Sequence, residues 1–415
     1  MKLSEAGVIV QSILSGLRIV EGSAFIAAPS AGMTLAQLGA DVIRFDMIGG
    51  GIDYRRWPVS EQGKSLYWHS LNKGKRSIAV DFRHPEGREL LARIITASGE
   101  DAGLFVTNFP ARGWLGYEVL RAHRKDLIFI NLTGDRHGGN ALDYTVNSKV
   151  GLPYLAGNGT EPTNNPFPAW DVIAGQQIAL GLLAAERHRR RTGAGQFVSI
   201  TLADVALATM GHLGYIAEAQ LNGLARQPMG NHIFGTFGHD FLCQDGKRVM
   251  VVGVSPKQWQ ALVKVTGTEP AVAALEDKLG LDFVQEGDRF EARESLRSLF
   301  EPWFSANSFS TVADALDAAG ACWGPYQNIS ELVAEDIDCS DDNPLFQNVH
   351  QPGIGEFLMP GQPLSFGATT REAIRPAPLL GQHTDEVLSE ILGLSDGQIG
   401  RLHDNNIVAG SDELD

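Results

Sequence analysis

Cysteine is scarce in this chain: Cys243, Cys322 and Cys339 are the three in 415 residues. None sits in a Cys-x-x-Cys, so a disulfide framework and a cysteine-based metal site are excluded, and three reduced thiols are expected. No stretch reaches 18 consecutive apolar residues, so no membrane-crossing segment is expected. The first twenty residues have short apolar runs broken by Glu5, Gln11, Ser12, Ser15 and Arg18, without the basic start and clean apolar centre of a signal peptide. A cytoplasmic location is therefore expected, and the sequons at Asn131, Asn158 and Asn328 carry no glycosylation meaning. Positive charge is also in deficit: 34 Lys and Arg against 49 Asp and Glu give a net charge of −15. Nucleic acid and anionic membrane are thus poor partners, although a local basic pocket can still hold a phosphate.

Familiar catalytic motifs are missing as well. The opening strand–helix–strand, with Asp46 closing the second strand, imitates a dinucleotide-binding fold. The loop after the first strand reads GSAFIAAPSAG, however, without the Gly-x-Gly-x-x-Gly that brings backbone against a pyrophosphate. Gly63-Lys64-Ser65 imitates the end of a phosphate-binding loop, but Pro58 stands where its first glycine belongs. There is no Gly-x-Ser-x-Gly elbow and no His-Glu-x-x-His, and no histidine pair has helical metal spacing. No metal is expected.

What is present is ordinary globular usage, 43% hydrophobic and 20% charged, in a chain long enough for two or three domains. The first third alternates short apolar strands (17–20, 41–45, 103–107, 127–132) with helical stretches (29–38, 85–97). That alternation predicts an α/β fold, a parallel sheet with helices on both faces. Residues 138–169, rich in Gly, Asn and Pro, read as a long loop of the functional kind. A strong helix follows over 172–189 and ends in the basic run Arg187–Arg191, which looks like a phosphate patch but reads rather as a solvated helix end where cations are favoured. A strand is expected over 197–202, then a helix over 203–221. Residues 237–254 read as a hairpin turning at Asp245-Gly246. The shifts in composition predict a Rossmann-like large domain from 1–225 plus 326–415 and a smaller α+β domain from 226–325.

Several segments together resemble the family III CoA-transferases, which include formyl-CoA and carnitine CoA-transferases and the α-methylacyl-CoA racemase. They are GLRIVEGSAFIAAPSAGMTLAQLGADVIRFD, GGGIDYRRW, LNKGKRSIAVDFRHPEG, LFVTNFPARGWLGY, FPAWDVIAGQQIALGLLAAERHRRRTGAGQFVSITLADV and PAPLLGQHTDEVL, in that order over nearly the whole chain. Within the family, EGSAFIAAP, NFPARGW, AERHRRRTG and PGIGEFLMPG are most similar to members that move CoA between the two carboxyls of mesaconate. The resemblance implies a family III fold, an interlocked homodimer, and no permanently bound cofactor, with coenzyme A entering as part of the acyl-CoA thioester substrate.

It also implies roles for residues. Asp171, in PAWDVIAG, matches the family's catalytic aspartate; its plainer role is a helix N-cap, and a helix N-terminus suits both. The implied chemistry is attack of the carboxylate on a thioester carbonyl, leading to an aspartyl-CoA thioester. Phe25, Ile26 and Ala27 match first-loop contacts with CoA or substrate, and Ile26 replaces a polar residue of the formyl-specific members. Arg83 matches a nucleotide-contacting basic position, with a solvated turn as the alternative. Met47 stands where formyl-transferring members carry arginine, and Arg55, Arg56, Lys75 or Arg76 are candidates to replace that phosphate contact. Asn108 and Phe109 match an Asn-Phe pair after the third expected parallel strand, with Arg112 in the following loop. Thr133 to Arg136 match a further contact segment, and Arg136 or His232 is a candidate clamp for a free carboxylate. His383 matches a family histidine, equally suited to closing a turn. The glycine-rich lid of formyl-CoA transferases is absent, since residues 251–259 hold only Gly253.

Three activities remain open at this level. The first is intramolecular CoA transfer on mesaconate, 2-methylfumaryl-CoA to 3-methylfumaryl-CoA. The second is intermolecular transfer between dicarboxylic acids such as succinyl-CoA and a C5 dicarboxylate. The third is an acyl-CoA racemase, disfavoured because no histidine lies between His137 and Asp171 to form an acid–base pair. A CoA-binding module without turnover is disfavoured by the presence of Asp171.

Overall fold

The computed structural model describes residues 12–157, 159, 161–223 and 226–411. The expectations about residues 1–11, the sequon at Asn158 and the domain boundary at 225 fall outside these residues. The described chain forms two compact units, one from 12–150, 166–221 and 337–411, the other mainly from 222–336 with 151–165.

The first unit opens with β1 (Arg18–Gly22), α1 (Ala27–Gln37), β2 (Asp41–Asp46), α2 (Leu66–Leu71), β3 (Arg76–Val80), α3 (Pro85–Ile95), β4 (Leu104–Thr107), α4 (Tyr117–His123) and β5 (Ile128–Thr133). It continues with α5 (Asp143–Lys149), α6 (Ala169–Thr192), β6 (Gln196–Thr201), α7 (Leu202–His212) and α8 (Tyr215–Asn222). The second unit holds an antiparallel sheet of β7 (Phe237–Leu242), β8 (Arg248–Gly253) and β9 (Cys322–Pro325), with β8 central. Helices α9 (Pro256–Val265), α10 (Glu269–Leu279), α11 (Glu286–Glu291), α12 (Arg293–Ala306), α13 (Phe309–Ala319) and α14 (Ile329–Glu335) accompany it. Its core is aromatic: Phe237, Phe241, Trp259, Phe300 and Phe304 are all buried. The chain then returns to the first unit with the hairpin β10 (Phe346–Gln351) and β11 (Gly355–Pro360), α15 (Thr384–Leu392), α16 (Asp396–Asp404) and β12 (Val408–Ala409). Among the described residues no helix is long and apolar enough to cross a membrane.

The main sheet runs β12-β3-β2-β1-β4-β5-β6 and is parallel except at β12. Strands β1 to β5 are buried nearly throughout, as parallel strands covered on both faces must be, whereas the edge strand β6 alternates between half-buried and exposed residues. Phe45, Phe105 and Phe129 from β2, β4 and β5 line up across one face, with ring centres 6.3 and 4.9 Å apart. The order reverses between β1 and β4, where an α/β sheet opens a crevice beyond its carboxyl ends.

Three expectations need correction. The stretch 138–169 is not all loop, since it contains α5. The helix expected over 203–221 is broken in two at Gly214, whose φ of 83° ends α7 and allows the chain to restart as α8. The basic run at the end of α6 is not simply solvated. Arg189 is buried and donates to the carbonyls of Ala102, Gly103, Glu100 and Asp126, pinning the helix end to turns at the amino edge of the sheet. Arg190 pairs with Glu186 and Asp101.

Helix α6 crosses α1 closely because small residues face each other: Ala27, Ala28 and Ala31 against Ala174 and Gly175, all buried. A Cβ on Gly175 would stand 2.1 Å from Ser30 Oγ and 2.8 Å from the Ala27 carbonyl. Gly181, on the same helix, has no atom nearer than 3.9 Å to that position. Gly175→Val is therefore expected to destabilise the fold by about 2–3 kcal/mol through overpacking. Gly181→Ala should instead stabilise it by roughly 0.5–1 kcal/mol through helix propensity. Urea midpoints of the two variants, shifted in opposite directions, check this.

Candidate functional site

The crevice at the β1–β4 switch point is shaped by two loops sewn together. The Asn108 side chain, just past β4, accepts from the Ala24 N–H at 3.0 Å and donates to the Ala24 carbonyl at 2.7 Å. The next residue, Phe25, has φ 68°, a left-handed backbone that an aromatic residue adopts only when held. Asp53 holds it, accepting the Phe25 N–H at 2.9 Å.

Asp53 is anchored by a buried charge cluster. Arg44, 1% exposed, donates to both oxygens of Asp46 at 2.8 and 2.9 Å and reaches Asp53 and Glu21 at 3.5 Å. Lys75 adds a second buried cation, 2.9 Å from Glu21 and 2.8 Å from the Pro29 carbonyl and from Asn72. Burial pushes the Lys75 amine down to about 8 against the pull of Glu21, and pushes the Asp53 carboxyl up against the pull of Arg44. Arg44 gains more from Asp46, Asp53 and Glu21 than burial costs it, and is held above its usual range.

The chain from Asp53 onward folds back on itself. Ser65 caps α2, accepting from the Trp68 N–H at 3.0 Å, while its hydroxyl donates to the Arg56 carbonyl. Arg56 thus lies beside the helix that carries Tyr67. Its guanidinium carbon is 5.5 Å from the centre of the Phe25 ring and 5.4 Å from that of Tyr67, within cation–π range of both.

Asp171 occupies the first turn of α6, and it does not cap that helix. The capping carboxylate is Asp143 on α5, which accepts the N–H groups of Trp170 at 2.7 Å and Asp171 at 3.0 Å. The Trp170 indole donates to Asn147 at 3.2 Å, one helical turn along α5. Among the described residues nothing donates a hydrogen bond to the Asp171 side chain. Burial, then the charge of Asp143, push its pKa up to about 7. Burial raises the Tyr67 phenol to about 12 against the pull of the Arg56 charge and hydrogen bond, with the charges of Asp171 and Asp53 adding to the rise, so it keeps its proton.

The other residues singled out from sequence fall into three groups. Ile26 is half-buried at the start of α1, and Ala27 is buried at the α1–α6 crossing. The Phe109 side chain packs into the core, 6.2 Å from both Phe45 and Phe82. Arg83, Arg112 and Arg136 are exposed on the loops after β3, β4 and β5, all at the carboxyl edge; Arg83 pairs with Asp81, and Arg136 lies 3.2 Å from His137.

The third group is committed elsewhere. Lys75 and Arg76 cannot supply the phosphate contact considered for them, because Lys75 is buried on Glu21 and Arg76 is bound by Asp41, Glu386 and Glu390. Asp46 likewise serves Arg44 rather than a ribose. His232 belongs to the second unit, bonded to Glu294 at 2.9 Å, and burial lowers its pKa, so it is a poor carboxylate clamp. His383 ties the turn before α15 to β3: Ser77 N–H donates to its Nδ1 at 3.2 Å while its own backbone N–H reaches the Ser77 carbonyl at 2.9 Å.

Sequence reasoning missed Tyr67, Asp143, Asp53 and Arg44. The spacing of Asp143 and Asn147, four apart on one helical face, was a usable signal for α5. Nothing local marked the other three.

The sequence model of CoA-transferase family III matches residues 14–384. The 2-methylfumaryl-CoA isomerase of Chloroflexus aurantiacus is 59% identical over 406 residues, covering 97% of this chain and 99% of that protein. The succinyl-CoA:mesaconate CoA-transferase of Haloarcula hispanica is 29% identical over 397 residues, covering 91% of this chain and 96% of that protein. A solved CAIB/BAIF family protein from Brucella suis superimposes with a TM-score of 0.75 at 24% identity, over 92% of this chain and 100% of that one, a likeness of fold.

The raised pKa of Asp171 makes a stability prediction with a definite sign. Its unfolded value is near 3.8 and its folded value about 7. Between those values the folded chain keeps a proton that the unfolded chain has released, so stability falls as pH rises through this window and stays lowered above it. Asparagine does not titrate. Asp171→Asn is expected to raise the unfolding free energy by up to about 4 kcal/mol at pH 8, by less than half that at pH 5, and not at all below about pH 4. Urea unfolding of both proteins across pH 4–8 checks the trend.

Proposed function

The chain belongs to CoA-transferase family III, and on that premise we propose that it moves coenzyme A between the two carboxyls of one bound acid, converting 2-methylfumaryl-CoA to its 3-methyl isomer. The observation that carries this reading is the Asp171 carboxylate. It is relieved of capping by Asp143, bonded by no described donor, and basic for a carboxylate. The 59% identity to a 2-methylfumaryl-CoA isomerase over nearly the full length of both chains supports the choice of acid.

In this reading an Asp171 oxygen attacks the C1 thioester carbonyl; the C–S bond breaks, leaving a mixed anhydride and CoA thiolate. The thiolate attacks the aspartyl carbonyl, the anhydride C–O bond breaks, and the acid is released as a dicarboxylate beside an aspartyl-CoA thioester. The other carboxylate attacks that thioester and expels the thiolate. The thiolate then attacks the C4 carbonyl of the new anhydride, restoring Asp171. No net proton moves. The charge that develops is an oxyanion, and the protonated Tyr67 phenol is the neighbouring group able to donate to it. Keeping the acid in place replaces a second diffusing substrate by a high effective concentration.

Arg83, Arg112 and Arg136, spaced along the carboxyl edge, form a basic rim suited to the phosphates of coenzyme A. The half-open Phe25–Ile26 loop supplies apolar surface for the methyl group. We assign the whole a homodimeric, interlocked form. The edge strand β6 leaves Phe197 40% exposed, and Leu180, Leu207 and Leu213 are exposed on α6 and beyond; such a face and such an edge call for a covering partner.

Two measurements test this. Incubation of 2-methylfumaryl-CoA with isotopically labelled free mesaconate should yield the isomeric ester without label, and Asp171→Asn should lower turnover by more than 10³-fold while still binding CoA. Label entering in proportion to added acid would move the assignment to intermolecular transfer. Sedimentation equilibrium should give twice the chain mass, and a stable monomer at micromolar concentration would remove the dimer.

A further inference from the structure

Arg56 stands apart from the other cations of the site. Like Arg55, Arg112 and Arg136 it is exposed and, among the described residues, has no carboxylate partner; what sets it apart is that two aromatic rings flank its guanidinium. Arg44, Lys75, Arg76 and Arg83 each have an acidic partner. Its guanidinium is boxed between the Phe25 and Tyr67 rings, and its carbonyl is tied to the Ser65 hydroxyl. The Tyr67 phenol also takes a hydrogen bond from this guanidinium, so ring contact and hydrogen bond together fix the flat fork while its remaining N–H groups stay open to a planar anion. One of the two rings that fix it depends on a strained backbone: Phe25 at φ 68°, held by Asp53 and through it by Arg44. The other ring belongs to Tyr67, which feels the charge of Asp171. A strained aromatic, maintained by a buried ion cluster, is a costly way to place an ordinary surface arginine.

We infer that Arg56 is the specificity-determining residue for the distal carboxylate, holding the free end of the dicarboxylate while its other end reacts with Asp171. This rests on the reading of Asp171 as nucleophile and deepens it. Because the fork is fixed before substrate arrives, the acid remains anchored after CoA has left it and its unreacted carboxylate keeps a fixed position. Arg56 therefore sets both the preference for dicarboxylates and the retention that makes transfer intramolecular. It also leaves the CoA phosphates to other residues, contrary to the substitute role the sequence suggested for it.

The test compares wild type, Arg56→Gln and Arg56→Lys on two thioesters, 2-methylfumaryl-CoA and 2-methylbut-2-enoyl-CoA, which carries a methyl group in place of the distal carboxylate. Hydroxylamine traps the acyl group from the anhydride, so CoA release reports the first transfer for both esters. Arg56→Gln should lower kcat/KM about 10- to 100-fold for the dicarboxylate ester, the range for loss of a charge-assisted bidentate contact. It should change the methyl ester less than about threefold, leave the Kd for free CoA unchanged, and admit labelled mesaconate into the isomerised product. Arg56→Lys, with charge but no fork, should fall between. Equal loss on both esters would reduce Arg56 to a structural support, and weakened free-CoA binding would make it a phosphate contact; either overturns the inference. Isomerisation by wild type tests the underlying reading separately, since the ratio of the two hydroxylamine rates reports on Arg56 whether or not the chain isomerises.

Discussion

The buried contact between Arg44 and its three carboxylates sets the shape of the whole crevice. Arg44 rises from β2 into a space closed to water, where an unpaired guanidinium is very costly, so Asp46, Asp53 and Glu21 must converge on it. Asp53 comes from the loop after β2, and its second oxygen holds the Phe25 N–H. One buried cation therefore fixes two loops at the carboxyl edge and, through Phe25, the stack that orients Arg56. Gly32 shows how tightly this is built: a Cβ there would lie 1.7 Å from Glu21 Oε2.

A second constraint acts from the other side. The crossing of α1 and α6 at Gly175 brings the start of α6 against the first loop, and Asp143 caps α6 from a separate helix. In a more ordinary helix the first-turn aspartate would serve its own N–H groups and have its pKa lowered by them. Here a neighbouring carboxylate takes that task and adds its charge to the burial already acting on Asp171. The result is a basic carboxylate at the cost of some stability, the pattern expected where a reactive group is kept unsatisfied for its chemistry.

Much of this was legible from residues alone, and the gaps have physical causes. Buried parallel strands write themselves as short apolar runs, so β1, β2, β4 and β5 were visible; the half-exposed β6 showed by its alternation, and α6 was visible with Asp171 at its start. Strand β3 was not marked, because Lys75 precedes it and Arg76 begins it, and their partners Glu21, Asp41 and Glu390 lie far away in sequence. Helix α5 was hidden in a stretch whose glycines, asparagines and prolines spoke for loop. The arginines were named, but exposure and pairing could not be: Lys75, Arg76 and Arg189 look like any surface cation until their carboxylates and carbonyls are brought to them. Motif resemblance carried the family; only three-dimensional proximity could join Arg44, Asp53, Phe25, Arg56 and Tyr67 into one device.

The claim on which the account turns is that CoA becomes covalently attached to Asp171 during turnover. Rapid quenching of the enzyme with 2-methylfumaryl-CoA, followed by digestion and mass spectrometry, measures this directly. The account predicts one peptide increased by the mass of coenzyme A less water, the one containing Asp171, appearing and decaying at the turnover rate. CoA attached at another residue, or isomerisation proceeding with no CoA-bearing peptide, would contradict it.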